Sequence, residues 1–67
     1  MPRVKPKNRI KEIRKEKRMK QAVLAHKAGI FQSEISEIEI GERKPNIYLA
    51  KKIAKVLGKS VDEIFLP

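Results

Sequence analysis

Residues 21–38 read QAVLAHKAGIFQSEISEI and contain two short segments with helical spacing of apolar residues, separated by one glycine. Four apolar residues share a face of the first segment: Val23, Leu24, Ala25 and Ala28. Gly29 follows them, and glycine is the residue best suited to the left-handed conformation that ends a helix. Ile30 and Ile35 are five positions apart, which is the spacing of a hydrophobic staple. The pattern predicts that one helix ends before Gly29 and that a second helix starts at Phe31.

Two helices this close together have the layout of a helix-turn-helix, in which a tight turn sets the second helix across the first. The layout needs a small residue where the helices cross, and Ala25 is suitable. It needs a glycine four positions later, and Gly29 is there. It also needs buried aliphatic residues, for which the sequence offers Leu24, Ile30, Ile35 and Ile38. The whole set predicts a helix-turn-helix more strongly than any two of its members.

The rest of the chain also has helical patterns. Asn8 is a suitable N-cap for a first helix of about ten residues, whose core positions are Ile10 and Ile13. Asn46 is expected to cap a fourth helix with a continuous apolar stripe, made of Leu49, Ala50, Ile53, Ala54 and Leu57. Ser60 and Glu63 have the spacing of a capping box that opens a short fifth helix, which carries Val61, Ile64 and Phe65.

These segments predict an all-α fold of five short helices in a single domain over residues 8–67. Residues 1–7 contain two prolines and alternating cations without periodicity, so they are predicted to be a flexible basic arm. A chain of 67 residues has room for one small core. The sequence contains no cysteine, which excludes disulfides and cysteine-ligated metals as a source of stability.

Composition and motifs argue against several classes of function. No apolar run approaches the roughly 20 residues of a membrane span, and no hydrophobic segment follows the basic N-terminus, so we expect a cytoplasmic protein. His26 is the only histidine, and no second metal ligand or catalytic carboxylate stands at helical spacing from it. Ser33 and Ser36 have no suitable general base. We therefore expect no enzyme activity, metal, cofactor or small-molecule substrate.

The charge distribution is strongly uneven along the chain. Residues 1–30 carry eleven basic and two acidic side chains, residues 31–42 carry four glutamates and no cation, and residues 43–67 carry six basic and two acidic side chains. A formal net charge of +9 with the cations at both ends is typical of proteins that bind a polyanion, usually nucleic acid. Charge alone is equally consistent with a solubilising surface.

The sequence resembles the phage repressor and Cro-like helix-turn-helix transcriptional regulators, the XRE family. The resemblance covers about residues 8–65 and is carried by NRIKEIR, QAVLAHKAGI, ISEIEIGERKPN and LAKKIAKVLGKSVDEIF. It implies binding of double-stranded DNA, with the third helix in the major groove. It also implies an ion pair within the fold between Arg14 and Glu39. Family members usually act as two-fold dimers, so a homodimer is expected.

The same resemblance implies roles for individual residues at the DNA. Base edges are expected to be read from the third helix by Gln32, Ser33, Ser36 and Glu37. Phosphates are expected to be bound by Gln21, Arg43, Lys44 and Asn46. The arm lies outside the resemblance, and its cations Arg3, Lys5 and Lys7 are expected to bind phosphates because of their charge. Where the family usually has a capping Ser or Thr before the third helix, this chain has Phe31, and where a glycine commonly follows the first helix, it has Arg18.

The four glutamates of residues 31–42 can be placed on the third helix at about 100° per residue. Glu34 falls in the first turn, where a carboxylate interacts favourably with free backbone N–H groups. Glu39 falls at the margin of the buried face, and Glu42 falls in the following loop. Only Glu37 faces the groove, where it would accept a hydrogen bond from cytosine N4 or remain solvated.

Two further expectations concern contacts with other proteins. The dimer interface is expected among Tyr48, Ile64, Phe65 and Leu66, although the same side chains could instead close the core. Packing is the favoured interpretation of Phe31 and Tyr48. An alternative function is a protein-interaction module, such as an antitoxin or a coactivator-like adaptor, that binds its partner through the acidic third helix.

Overall fold

The computed structural model describes residues 8–66. The predicted basic arm, residues 1–7, lies outside the described residues. All regular secondary structure in the described part is helical, in the following order: α1 Ile10–Glu16, α2 Gln21–Ala28, α3 Gln32–Glu39, α4 Ile47–Leu57 and α5 Val61–Phe65. The prediction of an all-α fold with five short helices is confirmed. Within residues 8–66, no helix is both long and apolar enough to cross a membrane.

The ends of α4 and α5 follow the capping chemistry of the sequence. The Oδ1 atom of Asn46 accepts a hydrogen bond from the backbone N–H of Leu49 at 2.9 Å. In α5, the N–H of Glu63 donates to the Ser60 hydroxyl at 3.1 Å, and the N–H of Ser60 donates to the Glu63 carboxylate at 3.0 Å. Each contact satisfies a backbone donor that has no partner inside its own helix.

The first helix is shorter than predicted and starts one residue later. Arg9 occupies the cap position without a capping hydrogen bond from its side chain. The buried carboxamide of Asn8 instead accepts from the N–H of Ile10 at 3.1 Å and donates to the carbonyl of Ile38 at 2.7 Å. Asn8 therefore still satisfies a donor at the start of α1, and it also ties that start to the end of α3.

The chain leaves α1 through an uncommon backbone conformation at Arg18. Its φ of 54° lies in the left-handed region, and within residues 8–66 it is the only residue other than glycine with a positive φ. The conformation allows the N–H of Met19 to donate to the carbonyl of Arg14 at 2.9 Å. The family's usual glycine would adopt it without the steric penalty that a Cβ brings.

The core is aliphatic and draws on every helix. Its buried members are Ile10, Ile13, Leu24, Ala25, Ala28, Ile35, Ile38, Ile53, Ala54, Leu57 and Ile64. Full burial of each large aliphatic side chain stabilises the fold by about 1.5–3 kcal/mol. Val23, which the helical pattern placed on one face with Leu24, Ala25 and Ala28, is exposed, unlike the other three. The expectation that Ile64 lies at a dimer interface is wrong, because Ile64 is fully buried and closes the core instead.

The aromatic residues Tyr48 and Phe31 do not cover the core. Tyr48 is 80% exposed and Phe31 is 78% exposed, which contradicts the favoured packing interpretation of both. Phe65 is partly buried and packs against the core. Tyr48 and Phe31 are therefore surface residues available to a ligand or a partner.

Candidate nucleic-acid interface

The turn between α2 and α3 is built by Gly29 and Ile30. Gly29 adopts a φ of 74°, and the N–H of Ile30 then donates to the carbonyl of Ala25 at 3.0 Å. A Cβ at residue 29 would lie 3.3 Å from the Lys52 ammonium as well as in a strained conformation. The glycine thus allows the chain to reverse within three residues and to start α3 directly against α2.

The start of α3 is capped from within the helix. The Glu34 carboxylate accepts from the backbone N–H of Phe31 at 3.1 Å. The phenyl ring of Phe31 has no acceptor to return a bond to the helix, so this is half of a capping box. Glu34 therefore stabilises the N-terminus of α3 by accepting this hydrogen bond.

The face of α3 opposite the core is polar and accessible. Gln32 and Ser33 are exposed, and Ser36 and Glu37 are partly exposed. Ile35 and Ile38 lie on the other side and are fully buried. All four residues that were predicted to read bases therefore share one surface, bordered by the exposed side chains of Phe31 and Ile40.

A hydrogen-bond network leads from the core to this surface. Glu39 accepts from Arg14 Nε at 2.8 Å and from Gln21 Nε2 at 2.9 Å. Gln21 Oε1 in turn accepts from Gln32 Nε2 at 3.4 Å. The network fixes the side chain of Gln21 between the ion pair and Gln32. It leaves Gln32 Oε1 and one hydrogen of its amide nitrogen available to an external ligand.

The loop after α3 brings Arg43 back against the helix. Arg43 Nε donates to Glu37 Oε1 at 2.8 Å, and Arg43 Nη1 lies 4.0 Å from Glu34 Oε2. Lys44 is exposed beside it. Asn46 is also exposed, but its Oδ1 is committed to the cap of α4, so only its amide nitrogen remains to meet a ligand. The predicted phosphate ligands Arg3, Lys5 and Lys7 lie outside the described residues.

Comparisons with known proteins agree with this arrangement. A family model described as helix-turn-helix matches residues 10–64. An uncharacterised HTH-type transcriptional regulator of Archaeoglobus fulgidus is 38% identical over 58 residues, which cover 87% of this chain and 82% of that protein. Another, from Methanocaldococcus jannaschii, is 38% identical over 60 residues, which cover 90% of this chain and 91% of that protein. The HTH-type transcriptional regulator YgzD of Bacillus subtilis is 30% identical over 59 residues, covering 88% and 89%.

The chain belongs to the XRE-type helix-turn-helix family of transcriptional regulators. In this XRE-type protein the turn at Gly29 joins α2 and α3, the two helices of the helix-turn-helix. Within residues 8–66, no three His, Cys, Asp or Glu side chains gather where they could hold a metal ion.

Two contacts of this XRE-type surface were missed from the sequence. The bond from Gln21 to Glu39 joins a predicted phosphate ligand to the predicted structural ion pair. The bond from Arg43 to Glu37 joins a second predicted phosphate ligand to a predicted base reader. For the contact between Arg43 and Glu37, the only signal in the sequence was two opposite charges six residues apart. Helical spacing does not predict this pairing, because a loop separates the two residues.

Proposed function

We propose that the protein binds double-stranded DNA in a sequence-specific manner, with α3 in the major groove, and thereby regulates transcription. The observation that carries the proposal is the exposed polar face of α3, where four side chains able to bind base edges lie together beside a cationic loop. An α-helix fits the major groove, where every base pair presents a distinct pattern of donors and acceptors.

The residues of this face have different roles in the proposal. Gln32 is the main base reader, because an amide can bond adenine N6 and N7 in a bidentate manner. Its link to Gln21 supports this role by limiting the freedom of the side chain before DNA arrives. Ser33, Ser36 and Glu37 add discrimination at neighbouring base pairs, with cytosine N4 as the donor for Glu37.

A second group of residues positions the protein on the phosphates. It comprises Gln21, Arg43, Lys44 and Asn46, together with Arg3, Lys5 and Lys7 of the arm. Such contacts fix register and orientation but carry no sequence information by themselves. They are also expected to make the affinity for DNA fall steeply as the salt concentration rises.

Selection of the purified protein on random duplex DNA at near-physiological salt tests this function. Recovery of one motif is the expected result, and an adenine within each half-site would fit the role of Gln32. The finding against the proposal would be DNA binding with no recovered motif, since that would reduce the cationic regions to nonspecific contacts.

We further propose that the DNA-bound form is a homodimer. An open groove of about 610 Å³ lies beside α4 and α5. Apolar side chains line one part of it, including Ile47, Val61, Phe65 and Leu66, and Arg43 and Lys44 line another part. Tyr48 is exposed on α4 next to Ile47. A two-fold contact through Tyr48, Phe65 and Leu66 would cover the apolar part of this groove, and two-fold dimers of this class bind half-sites about one DNA turn apart. Sedimentation with palindromic DNA tests the idea, and a monomer on that DNA would exclude it.

A protein-interaction module is the second candidate function. The observation in its favour is that Phe31 and Ile40, both exposed and apolar, border the exposed face of α3, which also carries Glu37. A basic and apolar partner would match that surface. Salt dependence separates the two candidates, because several phosphate contacts impose a steep fall of log affinity with log salt. Binding to a protein partner need not show that slope.

A further inference from the structure

The contact between Glu37 and Arg43 links a residue proposed to read bases with a residue proposed to bind phosphates. Glu37 Oε1 lies 2.8 Å from Arg43 Nε. The backbone reinforces this proximity, because the N–H groups of Glu42 and Arg43 both donate to the carbonyl of Glu37, at 2.9 and 3.3 Å. The end of α3 thus folds the loop back so that the Arg43 side chain meets the exposed face of its own recognition helix.

The pair is placed where it can open. The side chains of Arg43 and Glu37 are 50% and 41% exposed, so water and ions reach both groups. Ion pairs at this exposure contribute little to folding and exchange readily for other partners. A DNA phosphate would compete with the Glu37 carboxylate for the same guanidinium, since both are anionic oxygens with which arginine bonds well.

We propose that Glu37 is a specificity-determining residue that acts through Arg43. In the free protein the carboxylate holds the Arg43 guanidinium through its Nε–H and offsets part of its charge, which weakens the attraction of Arg43 for phosphates. At a matching site a base amino group donates to Glu37 and replaces Arg43, which then binds the DNA backbone. At a mismatched site no base donates to Glu37, so its carboxylate remains bonded to Arg43 and the contact between Arg43 and the phosphate is weakened. This inference rests on the proposed DNA-binding function.

General repulsion between Glu37 and the phosphates is the competing explanation, and a double-mutant cycle separates the two. The cycle uses the full chain as wild type, Glu37→Gln, Arg43→Gln and the double variant. At residue 37 glutamine retains the size of glutamate and removes its charge. At residue 43 glutamine removes the guanidinium charge and is shorter than arginine. Affinity is measured by fluorescence anisotropy on a duplex of unselected sequence, at several salt concentrations between about 50 and 200 mM.

The proposal predicts that the two substitutions are coupled. Glu37→Gln should tighten binding to unselected DNA by about three- to fivefold when Arg43 is present, and by less than about twofold in the Arg43→Gln background. Glu42→Gln is the matched control, because Glu42 precedes Arg43 in the loop and forms no ion pair with it. It should change affinity by the same factor in both backgrounds.

Equal tightening by Glu37→Gln in both backgrounds would overturn the inference in favour of simple repulsion, and so would no tightening in either. Neither result would count against the proposed function, because sequence-specific binding is tested separately by the recovery of a motif from random DNA. A wild-type protein that binds no duplex even at low salt would remove the proposed function together with the inference.

A measurement on the free protein supports the cycle independently of DNA. The Nε–H resonance of Arg43, observed by nitrogen-15 NMR, should show slower exchange with water in the wild type than in Glu37→Gln. The Glu42→Gln control should leave that exchange rate unchanged. Identical exchange in wild type and Glu37→Gln would show that the carboxylate does not hold the guanidinium in solution, which contradicts the proposal.

Discussion

Arg14 and Glu39 form an ion pair across the fold, with Nε of Arg14 2.8 Å from Oε2 of Glu39. The two side chains are only 10% and 3% exposed. Arg14 also donates to the carbonyl of Met19 at 2.9 Å, and Glu39 accepts from Gln21. The ion pair and these two hydrogen bonds together join α1, the loop after it, α2 and α3. The helix that faces the proposed DNA site is held by its last residue to the rest of the domain.

Removal of one partner of this pair should be strongly destabilising. Arg14→Met leaves the Glu39 carboxylate buried without its countercharge, at an expected cost of about 3–5 kcal/mol. A domain of this length has a free energy of unfolding of about 3–10 kcal/mol in total, so the variant should be largely unfolded or close to it. Urea denaturation followed by circular dichroism measures the change.

The double variant Arg14→Met, Glu39→Leu is the control for that experiment. It removes both charges and fills similar volume, so its free energy of unfolding should recover much of the loss caused by Arg14→Met alone. A single variant as stable as the wild type would mean that the pair is solvated and contributes little.

Arg18 offers a place where a single substitution should stabilise the fold. Its φ of 54° places a Cβ in the left-handed region, where a residue other than glycine pays roughly 1–2 kcal/mol. Arg18→Gly should therefore raise the free energy of unfolding by about 1 kcal/mol, reduced by the greater freedom of glycine in the unfolded chain. In thermal unfolding this corresponds to roughly 4–8 °C in Tm.

Arg18→Ala separates the backbone effect from the removal of a positive charge. Alanine retains the Cβ and its steric conflict, so this control should not gain the stability of Arg18→Gly. Equal gains from alanine and glycine would assign the effect to the charge and not to the left-handed conformation.

The capping box of α5 should make stability depend on acid pH. Hydrogen bonds from the backbone and then from the side chain of Ser60 hold the pKa of Glu63 below its ordinary value of 4.5. Because the pKa is lower in the folded state, the carboxylate stabilises the fold above the unfolded pKa, and this contribution is lost as the pH falls through the folded pKa. Glu63→Gln should thus be less stable than wild type at neutral pH and lose less stability on acidification.

The difference between wild type and Glu63→Gln should shrink as the pH falls below about 4.5, as measured by urea midpoints at several pH values. Glu16→Gln serves as the control, because Glu16 is an exposed carboxylate at the end of α1, outside the capping box. A stability difference for Glu63→Gln that does not change with pH would contradict the prediction.

The sequence was sufficient to predict the elements whose causes are local. Gly29 ends α2, Asn46 caps α4 and Ser60 opens α5, and each of these effects acts within four residues along the chain. The aliphatic core followed from the helical period in the same manner. Local signals therefore predicted the number, type and order of the helices, and the helix-turn-helix with them.

Sequence reasoning failed where the outcome depends on how elements meet. The apolar character of Tyr48 and Ile64 was compatible with either a buried or an exposed side chain. The packing of α4 and α5 decides the outcome, because it buries Ile64 and leaves Tyr48 exposed. The pairing of Glu37 with Arg43 depends on the path of the loop after α3. Periodicity carries no information about that path, so the two residues were assigned separate roles at the DNA.

The last prediction separates base reading from phosphate binding on the proposed interface. Gln32→Ala removes an exposed amide of α3 and should relax specificity at one base pair per half-site, at a cost of about 1–3 kcal/mol against the preferred base. Lys44→Ala removes an exposed cation of the neighbouring loop and should weaken binding about equally for all sequences, while reducing the salt slope by about one. Lys44 is a better choice than Arg43 for testing phosphate binding alone, because Arg43 also bonds Glu37.

Repeating the DNA selection with both variants measures the change in motif, and fluorescence anisotropy at several salt concentrations measures the salt slope. If the two variants change motif and slope alike, then α3 and its loop do not divide recognition in this way, and Gln32 is not a base reader.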